Sequence, residues 1–446
     1  MGLPTFKGGI HPYEGKELSE NKPVVLLQPK EELVFPLSQH IGAPAKPLVE
    51  AGDKVLMGQK IGEMDGAISA CIISSVSGTV KGIEPRKTAG GSMVPSIIIE
   101  NDGEDKTVES FGIKRDPDAL SKEEIRNIIK ESGIVGLGGA GFPTYVKLTP
   151  RDDAKIDTVI VNGAECEPYL TSDYRMLMEE PEKLIKGLRI ILRLFEHAKG
   201  VIAIENNKPE AIKRLKELVK DEPGITVCPL STKYPQGWER TLIQSVTGRK
   251  VSADMLPAEV GCIVDNVDTV ISIYYAVAES TPLIRRIITV TGDAIENPQN
   301  YNVRIGTSYE QMVEASGGFK AEVKKLISGG PMMGRALDGI DIPVTKVTSA
   351  LLCMSDDEGT NDPTTSCIRC ARCVRVCPGR IVPQQMVIAA VHSDAERYLK
   401  LKGTDCCECG SCSYICPARI PLTETFIGMN RRISEAEAAV RRKKND

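Results

Sequence analysis

The chain reads as a multidomain protein of α/β plus α+β class, and three observations predict it. Short apolar pairs broken by G-D, G-Q and S-G turns run over about residues 34–98, the mark of a small β unit. Apolar runs of strand length then alternate with helical stretches between 157 and 230, which argues a parallel sheet with both faces covered. Near the C-terminus two blocks of C-x2-C-x2-C-x3-C-P follow one another: Cys367, Cys370, Cys373 and Cys377, then Cys406, Cys409, Cys412 and Cys416. A length of 446 residues suits about three or four such units.

The first unit centres on 46–62 and 72–83 and resembles the biotinyl/lipoyl-type barrel-sandwich fold. In that family a lysine on an exposed hairpin carries the cofactor. The corresponding turn, 63–70 (E-M-D-G-A-I-S-A), has no lysine, so a scaffold is expected rather than a carrier.

A helix should begin after Ser121, where S-K-E-E makes a capping box with Glu124, and Ile125, Ile128 and Ile129 form its apolar stripe. It leads into G-L-G-G-A-G-F-P-T at 136–144. Gly136, Gly138 and Gly141 spell G-x-G-x-x-G, but they follow a helix rather than a strand and Pro143 comes directly after. The ordinary dinucleotide fingerprint therefore fails on context. What remains is backbone without side chains, either a structural turn or an approach for a flat or phosphorylated ligand.

Downstream, strands are expected at 157–162, 201–205 and 225–230, with helices at 181–197 and 208–220. Ligands of parallel sheets bind at the carboxyl ends of strands. Asn162, Gly163, Glu165 and Glu167 in N-G-A-E-C-E-P lie just after the first strand, and their carboxylates suit ribose hydroxyls or a solvated loop. Residues 285–334 read as a strand, a helix at 309–315 and a glycine-rich end, without chemistry of their own.

In each cysteine block, three thiolates within seven residues suit three corners of an iron–sulfur cube, while the fourth, before proline, serves the neighbouring cluster. Two [4Fe–4S] clusters follow. Crossed ligation assigns Cys367, Cys370, Cys373 and Cys416 to one, and Cys406, Cys409, Cys412 and Cys377 to the other. Zinc sites usually draw on two separated pairs instead. Nine of the 14 cysteines fall between 367 and 416, yet 1–16 shows no apolar export segment, so the thiols are expected to be cytosolic and metal-bound rather than disulfide-paired. Cys407 breaks the strict pattern and reads as a spare, with exchange against Cys406 left open.

A net charge of −4 and a pI near 5.9 disfavour nucleic acid. No uncharged apolar run reaches 18 residues; the most apolar stretch, 261–278, carries Asp265 and Asp268. The four histidines are scattered and read as surface or packing residues. A helix joins the cysteine blocks at 382–399, and a charged helix closes the chain from 431, its basic run at 441–444 reading as a solvated tail or a contact for acidic partners or lipid headgroups.

The glycine segment at 136–147, N-G-A-E-C-E-P and D-N-V-D-T at 265–269 resemble, in the same order, the flavin and NADH motifs of the flavoprotein subunit of respiratory complex I. F-K-G-G-I-H-P at 6–12, Q-H-I-G-A-P-A at 39–45, the barrel-sandwich unit and the paired cysteine motifs resemble more closely the RnfC family, the C subunits of Rnf ion-translocating NAD:ferredoxin oxidoreductases. That resemblance covers nearly the whole chain. It implies units at 1–105 (N-terminal segment and barrel-sandwich), 106–284 (Rossmann-like, for FMN and NAD(H)), 285–345 (soluble-ligand-binding β-grasp), 355–425 (two-cluster ferredoxin-like) and 426–446 (charged tail).

The resemblance further places non-covalent FMN at the loop from Gly136 through Gly138, Gly139 and Gly141, with Lys147 at its phosphate and Asn162, Asn266 and Thr269 as further contacts. Glu165 and Glu167 would read NADH, with Phe142 stacking on the dinucleotide. Ala164 stands where the complex I family has Asp, and that family's motif for a single adjacent cluster is absent. The implied function is a peripheral electron-transfer subunit on the cytoplasmic face of the cell membrane. Its partners would be the other subunits of the complex and, indirectly, ferredoxin. Hydride exchange needs no proton-transfer catalyst, and none is assigned. Alternatives are a soluble cobalamin reductase and a non-enzymatic ferredoxin-like relay.

Overall fold

The computed structural model describes residues 2–356 and 363–445, and the side chains of the basic run at 441–444 lie outside the described residues. An N-terminal segment leads to strand β1 (Val24–Leu27), which joins a sheet formed far downstream. The β unit follows: β2 (Glu32–Pro36), β3 (Lys46–Pro47), β4 (Lys54–Val55), β5 (Lys60–Glu63), β6 (Ile72–Ile73), β7 (Gly78–Lys87) and β8 (Met93–Asn101). They form two antiparallel sheets, β2-β8-β7-β4 and β3-β5-β6. The period-2 alternation of β2 turns Leu33 and Phe35 inward, opposite Ile99 and Ile97 of β8, and all four are fully buried.

Next come α1 (Lys122–Glu131), started by the reciprocal Ser121–Glu124 capping box, and the short α2 (Thr144–Lys147). A four-stranded sheet is then built from β9 (Thr158–Gly163), β10 (Lys199–Glu205), β11 (Ile225–Leu230) and β12 (Cys262–Asn266). Helices α3 (Ser172–Glu179), α4 (Pro181–Leu192), α5 (Pro209–Leu218), α6 (Glu239–Thr247) and α7 (Val267–Glu279) connect or cover it. Every pairing is parallel and the order is β11-β10-β9-β12. The first three strands are those the alternation predicts. The fourth strand and α7 together make up the apolar stretch 261–278, split where Asn266 caps the helix.

The third unit holds β13 (Arg285–Thr291), β14 (Gln299–Arg304), α8 (Tyr309–Ala315), β15 (Lys325–Ser328), β16 (Arg335–Leu337) and β17 (Ala350–Met354). Its mixed sheet runs β1-β14-β13-β17-β15-β16. It therefore draws an edge strand from residues 24–27 and a central strand from 350–354, outside the 285–345 segment at both ends.

The cysteine-rich segment is helical, with helices Arg372–Val376, Pro383–Val391, Ala395–Lys400, Ser411–Tyr414 and Leu422–Asn445. The single linking helix expected at 382–399 is broken where Ser393 takes a left-handed φ of 56° and Asp394 caps a new helix. The closing helix begins at Leu422 rather than 431, because Phe426, Met429 and Ile433 pack with Met386 and Tyr398 into the core beneath the cysteines. Among the described residues no helix is long and apolar enough to cross a membrane.

Candidate functional site

From β9 the chain moves outward to β10 and β11, then returns to place β12 on the other side of β9. This reversal opens a crevice at the carboxyl ends of β9 and β12, where Asn162 and Asn266 stand opposite each other in register. The glycine loop covers that crevice. A Cβ on Gly138 would sit 3.3 Å from the Asn266 Cβ, whereas one on Gly139, at φ +107°, would meet nothing within 4 Å. Gly141, at φ +66°, is pressed between Val347 and His40, its Cβ position 2.6 Å from Val347 Cγ1. The Leu137 N–H donates to Thr269 Oγ1 at 2.9 Å, and the Leu137 carbonyl accepts from Arg286 Nη2 at 2.8 Å. The loop is thus pinned on both sides with an open cradle at Gly139, a shape that fits a flat ring or phosphate.

Lys147, at the end of α2, donates to the Val264 carbonyl at 2.6 Å and lies 3.5 Å from Glu239 and 3.6 Å from Asp265. Burial opposes its charge, but Asp265 and Glu239 outweigh that and raise its pKa. Asp265 is 1% exposed, neither of its oxygens is hydrogen-bonded, and burial pushes it up to about 6 against the pull of Lys147.

The remaining residues singled out by sequence are placed as follows. Asn162 Nδ2 donates to the Gly237 carbonyl at 2.9 Å. Asn266 caps α7 through Oδ1 and donates through Nδ2 to Asp173 at 2.6 Å. Asp173 is pushed up to about 8, first by burial and then by Glu165 and Asp268. Thr269 is fully buried under Leu137, so it positions the loop instead of facing the crevice. Phe142 is half-buried. Glu165 accepts the N–H groups of Asp173 and Tyr174, 2.7 and 3.3 Å away, at the start of α3. Through Oε1, Glu167 accepts those of Met332 and Met333, 2.7 and 3.1 Å away. The two glutamates therefore diverge, one to a helix start and the other to the glycine-rich loop after β15.

Asp173, Arg286 and Gly237 contribute to the site without a local signal in sequence. Only the capping pattern around Asn266 and the charges inside an apolar run mark Asp265 and Asp268.

At the C-terminal end, Cys377 from the first block lines one cavity with Cys406, Cys407, Cys409 and Cys412 of the second, closed by Thr423 and Phe426. Burial raises the Cys373 thiol, and Cys416, Cys367 and Cys370 add to the effect. All 14 cysteines are free thiols, and among the described residues no three His, Cys, Asp or Glu are gathered to hold a single metal ion. Cys377, Cys409 and Cys412 are buried, whereas Cys367 and Cys370 are exposed. The buried set meets the flavin-type unit: Ile10, Tyr234 and Cys409 are buried together, with Cys166, Met332 and Cys407 packed against them.

A glycine-lined crevice at a sheet reversal, abutting paired cysteine quartets, defines an electron-transfer component of an oxidoreductase. Residues 129–275 match the family model of the Nuo51 FMN-binding domain, residues 4–104 that of the RnfC barrel sandwich hybrid domain and residues 287–336 that of the SLBB domain. The C subunit of the proton-translocating ferredoxin:NAD(+) oxidoreductase complex of Clostridium ljungdahlii is 44% identical over 386 residues, 86% of this chain and 84% of that protein. The Na(+)-translocating counterpart of Acetobacterium woodii is 43% identical over 85% of this chain and 86% of its own. The C subunit of the ion-translocating oxidoreductase complex of Pseudomonas aeruginosa is 40% identical over 99% of this chain, which spans 57% of that longer relative. Among solved structures, an NAD+-reducing [NiFe]-hydrogenase in the H2-reduced state aligns over 74% of this chain and 68% of its own, with 17% identity and a TM-score of 0.49. The chain belongs to the RnfC family, the C subunits of ion-translocating oxidoreductase complexes.

Proposed function

We propose that the chain exchanges hydride with NAD(H) through non-covalent FMN in the β9–β12 crevice and passes single electrons through two [4Fe–4S] clusters. It does so as the peripheral subunit, on the cytoplasmic membrane face, of an ion-translocating ferredoxin:NAD+ oxidoreductase complex. The observation that carries this reading is the packing of Cys407 and Cys409, which line the buried cysteine cavity, against Cys166 and Tyr234 in the loops that follow β9 and β11 of the parallel sheet. Bound FMN supplies the conversion between a two-electron hydride and one-electron carriers.

The chain's own residues do the rest. Gly136, Gly138, Gly139 and Gly141 keep the cradle free of side chains, and Thr269 holds its backbone. Lys147 offers the cation for the phosphate, while Asn162 and Asn266 frame the crevice floor. Phe142 flanks the dinucleotide at the outer lip. Glu165 shapes the rim by fixing α3, and Glu167, anchored through Oε1, keeps Oε2 for a ribose hydroxyl. Cys367, Cys370, Cys373 and Cys416 hold the exposed cluster, and Cys377, Cys406, Cys409 and Cys412 the buried one. Electrons reach ferredoxin through the other subunits.

Anaerobic reconstitution should give about eight irons per chain and FMN that is released on denaturation. NADH should bleach the flavin and then the clusters. Cys377→Ser should remove the cluster otherwise ligated from the second block, and Cys407→Ser should leave both. A zinc-filled protein, or clusters reduced at full rate by NADH without flavin, overturns the reading.

A further inference from the structure

The segment 6–12 runs between the flavin-type unit and the cysteine-bearing helices. Gly9 N–H donates to the carbonyl of Val376 at 2.7 Å, directly before Cys377. This bond joins the cysteine-bearing segment to the N-terminal strap. Ile10 and Tyr234 exchange two backbone bonds, of 2.9 and 3.0 Å. Lys233 Nζ donates to the Phe6 carbonyl at 2.9 Å and lies 4.6 Å from the centre of its ring. Further along, the Glu14 carbonyl accepts from Tyr169 N–H at 2.7 Å, and buried Lys16 donates to the carbonyls of Glu167 and Leu170 at 3.1 and 2.6 Å.

The two glycines leave no slack. Gly8, at φ +96°, would place a Cβ 2.9 Å from both the Val376 and Cys377 carbonyl oxygens. Gly9, at φ +78°, would place one 2.6 Å from the Tyr234 carbonyl. One strand of chain is therefore bonded at once to the turn bearing a cluster ligand, to the Lys233–Tyr234 turn and to the rim loop of the flavin crevice.

We propose that this N-terminal strap sets the separation between the flavin crevice and the buried cysteine quartet, with Gly8 and Gly9 as positioning residues for electron passage between them. The proposal rests on the FMN and iron–sulfur reading given above. Electron exchange falls steeply as two centres separate, so the Gly9–Val376 bond and the close packing of Gly8 on the Cys377 turn make it sensitive to small shifts. A side chain at Gly8 pushes the Val376–Cys377 turn outward, and one at Gly9 lifts the strap, with its bond to Val376, away from the Lys233–Tyr234 turn.

The test uses reconstituted holoprotein and stopped-flow absorbance with NADH, together with amide hydrogen exchange over residues 372–380. Gly8→Ala and Gly9→Ala should keep FMN and iron content and the rate of flavin bleaching. They should slow cluster bleaching at least about tenfold and speed exchange at 376–380. Lys7→Ala, on the exposed side of the strap, should change neither. Lys233→Met, which releases Phe6 without crowding, should reproduce the slowing if the glycine variants fold poorly. Faster exchange with undiminished cluster bleaching, or no change in either readout, overturns the strap's role. Wild-type protein that NADH does not bleach in two phases sinks the underlying reading instead, before any variant is made.

Discussion

Arg286 and Asp268 form an ion pair of 2.8 Å with side chains 3% and 4% exposed, joining β13 of the third unit to the first turn of α7. Arg286 also donates to the Leu137 and Thr348 carbonyls, and Arg285 reaches the other Asp268 oxygen at 3.1 Å. The shape of the flavin crevice is therefore fixed from outside its own sheet.

Removing one member of this buried pair should be costly. Asp268→Asn leaves two arginines facing a neutral group, and a loss of about 3–5 kcal/mol is expected. Urea unfolding followed by Trp238, the one tryptophan, measures it. The variant should also retain less flavin, since Arg286 is freed from its hold on Leu137.

Gly139 and Gly141 should separate binding from folding. Alanine at Gly139 meets no atom and costs only the left-handed backbone, about 1–2 kcal/mol, yet its methyl enters the cradle. Gly139→Ala should stay folded and lose FMN on gel filtration. Gly141→Ala drives a methyl into Val347 and the backbone of His40, and should lower the unfolding midpoint further.

Lys147→Ala should weaken FMN by about 1.5–3 kcal/mol, the cost of a lost charge-assisted contact. It also leaves Asp265 without a cation in a buried position. Pairing it with Asp265→Asn should recover folding stability but not FMN affinity. Flavin titration and urea unfolding read the two effects apart.

Lys346 should give stability a distinctive pH dependence. Its ammonium is 1% exposed and meets only the Cys71 and Gly133 carbonyls. Burial lowers its pKa from 10.5 to about 7, opposed weakly by Cys71. Between those values the unfolded chain binds the proton more tightly than the folded one. The Lys346 contribution to stability is thus lowest below about pH 7 and rises as pH climbs towards 10.5. Unfolding across that range should show the rise in wild type and a flatter profile in Lys346→Met.

What the sequence made legible was local. Cysteine spacing marks out the thiol-rich segment at once, and Ser121 with Glu124 declares a helix start in four residues. Strands β9 and β10 of the parallel sheet stand out because both faces are largely buried, leaving nearly unbroken apolar runs. The fourth merges with α7 into one apolar stretch, and periodicity alone does not divide it at Asn266. Strand β1 was invisible as a partner of β14, since parallel pairing across more than two hundred residues leaves no local mark. For the same reason nothing in N-G-A-E-C-E-P reveals that Glu167 is held by Met332 and Met333.

The parallel pairing of Val24–Leu27 with residues 300–303 also orders events during synthesis. The N-terminal segment leaves the ribosome first, but the strand that receives it emerges only after the barrel-sandwich unit and the whole parallel sheet. The backbone donors and acceptors of Val24–Leu27 stay unpaired through that interval, a window in which growing chains associate wrongly. The nascent chain must then bring Val24–Leu27 back to a strand made more than two hundred residues later.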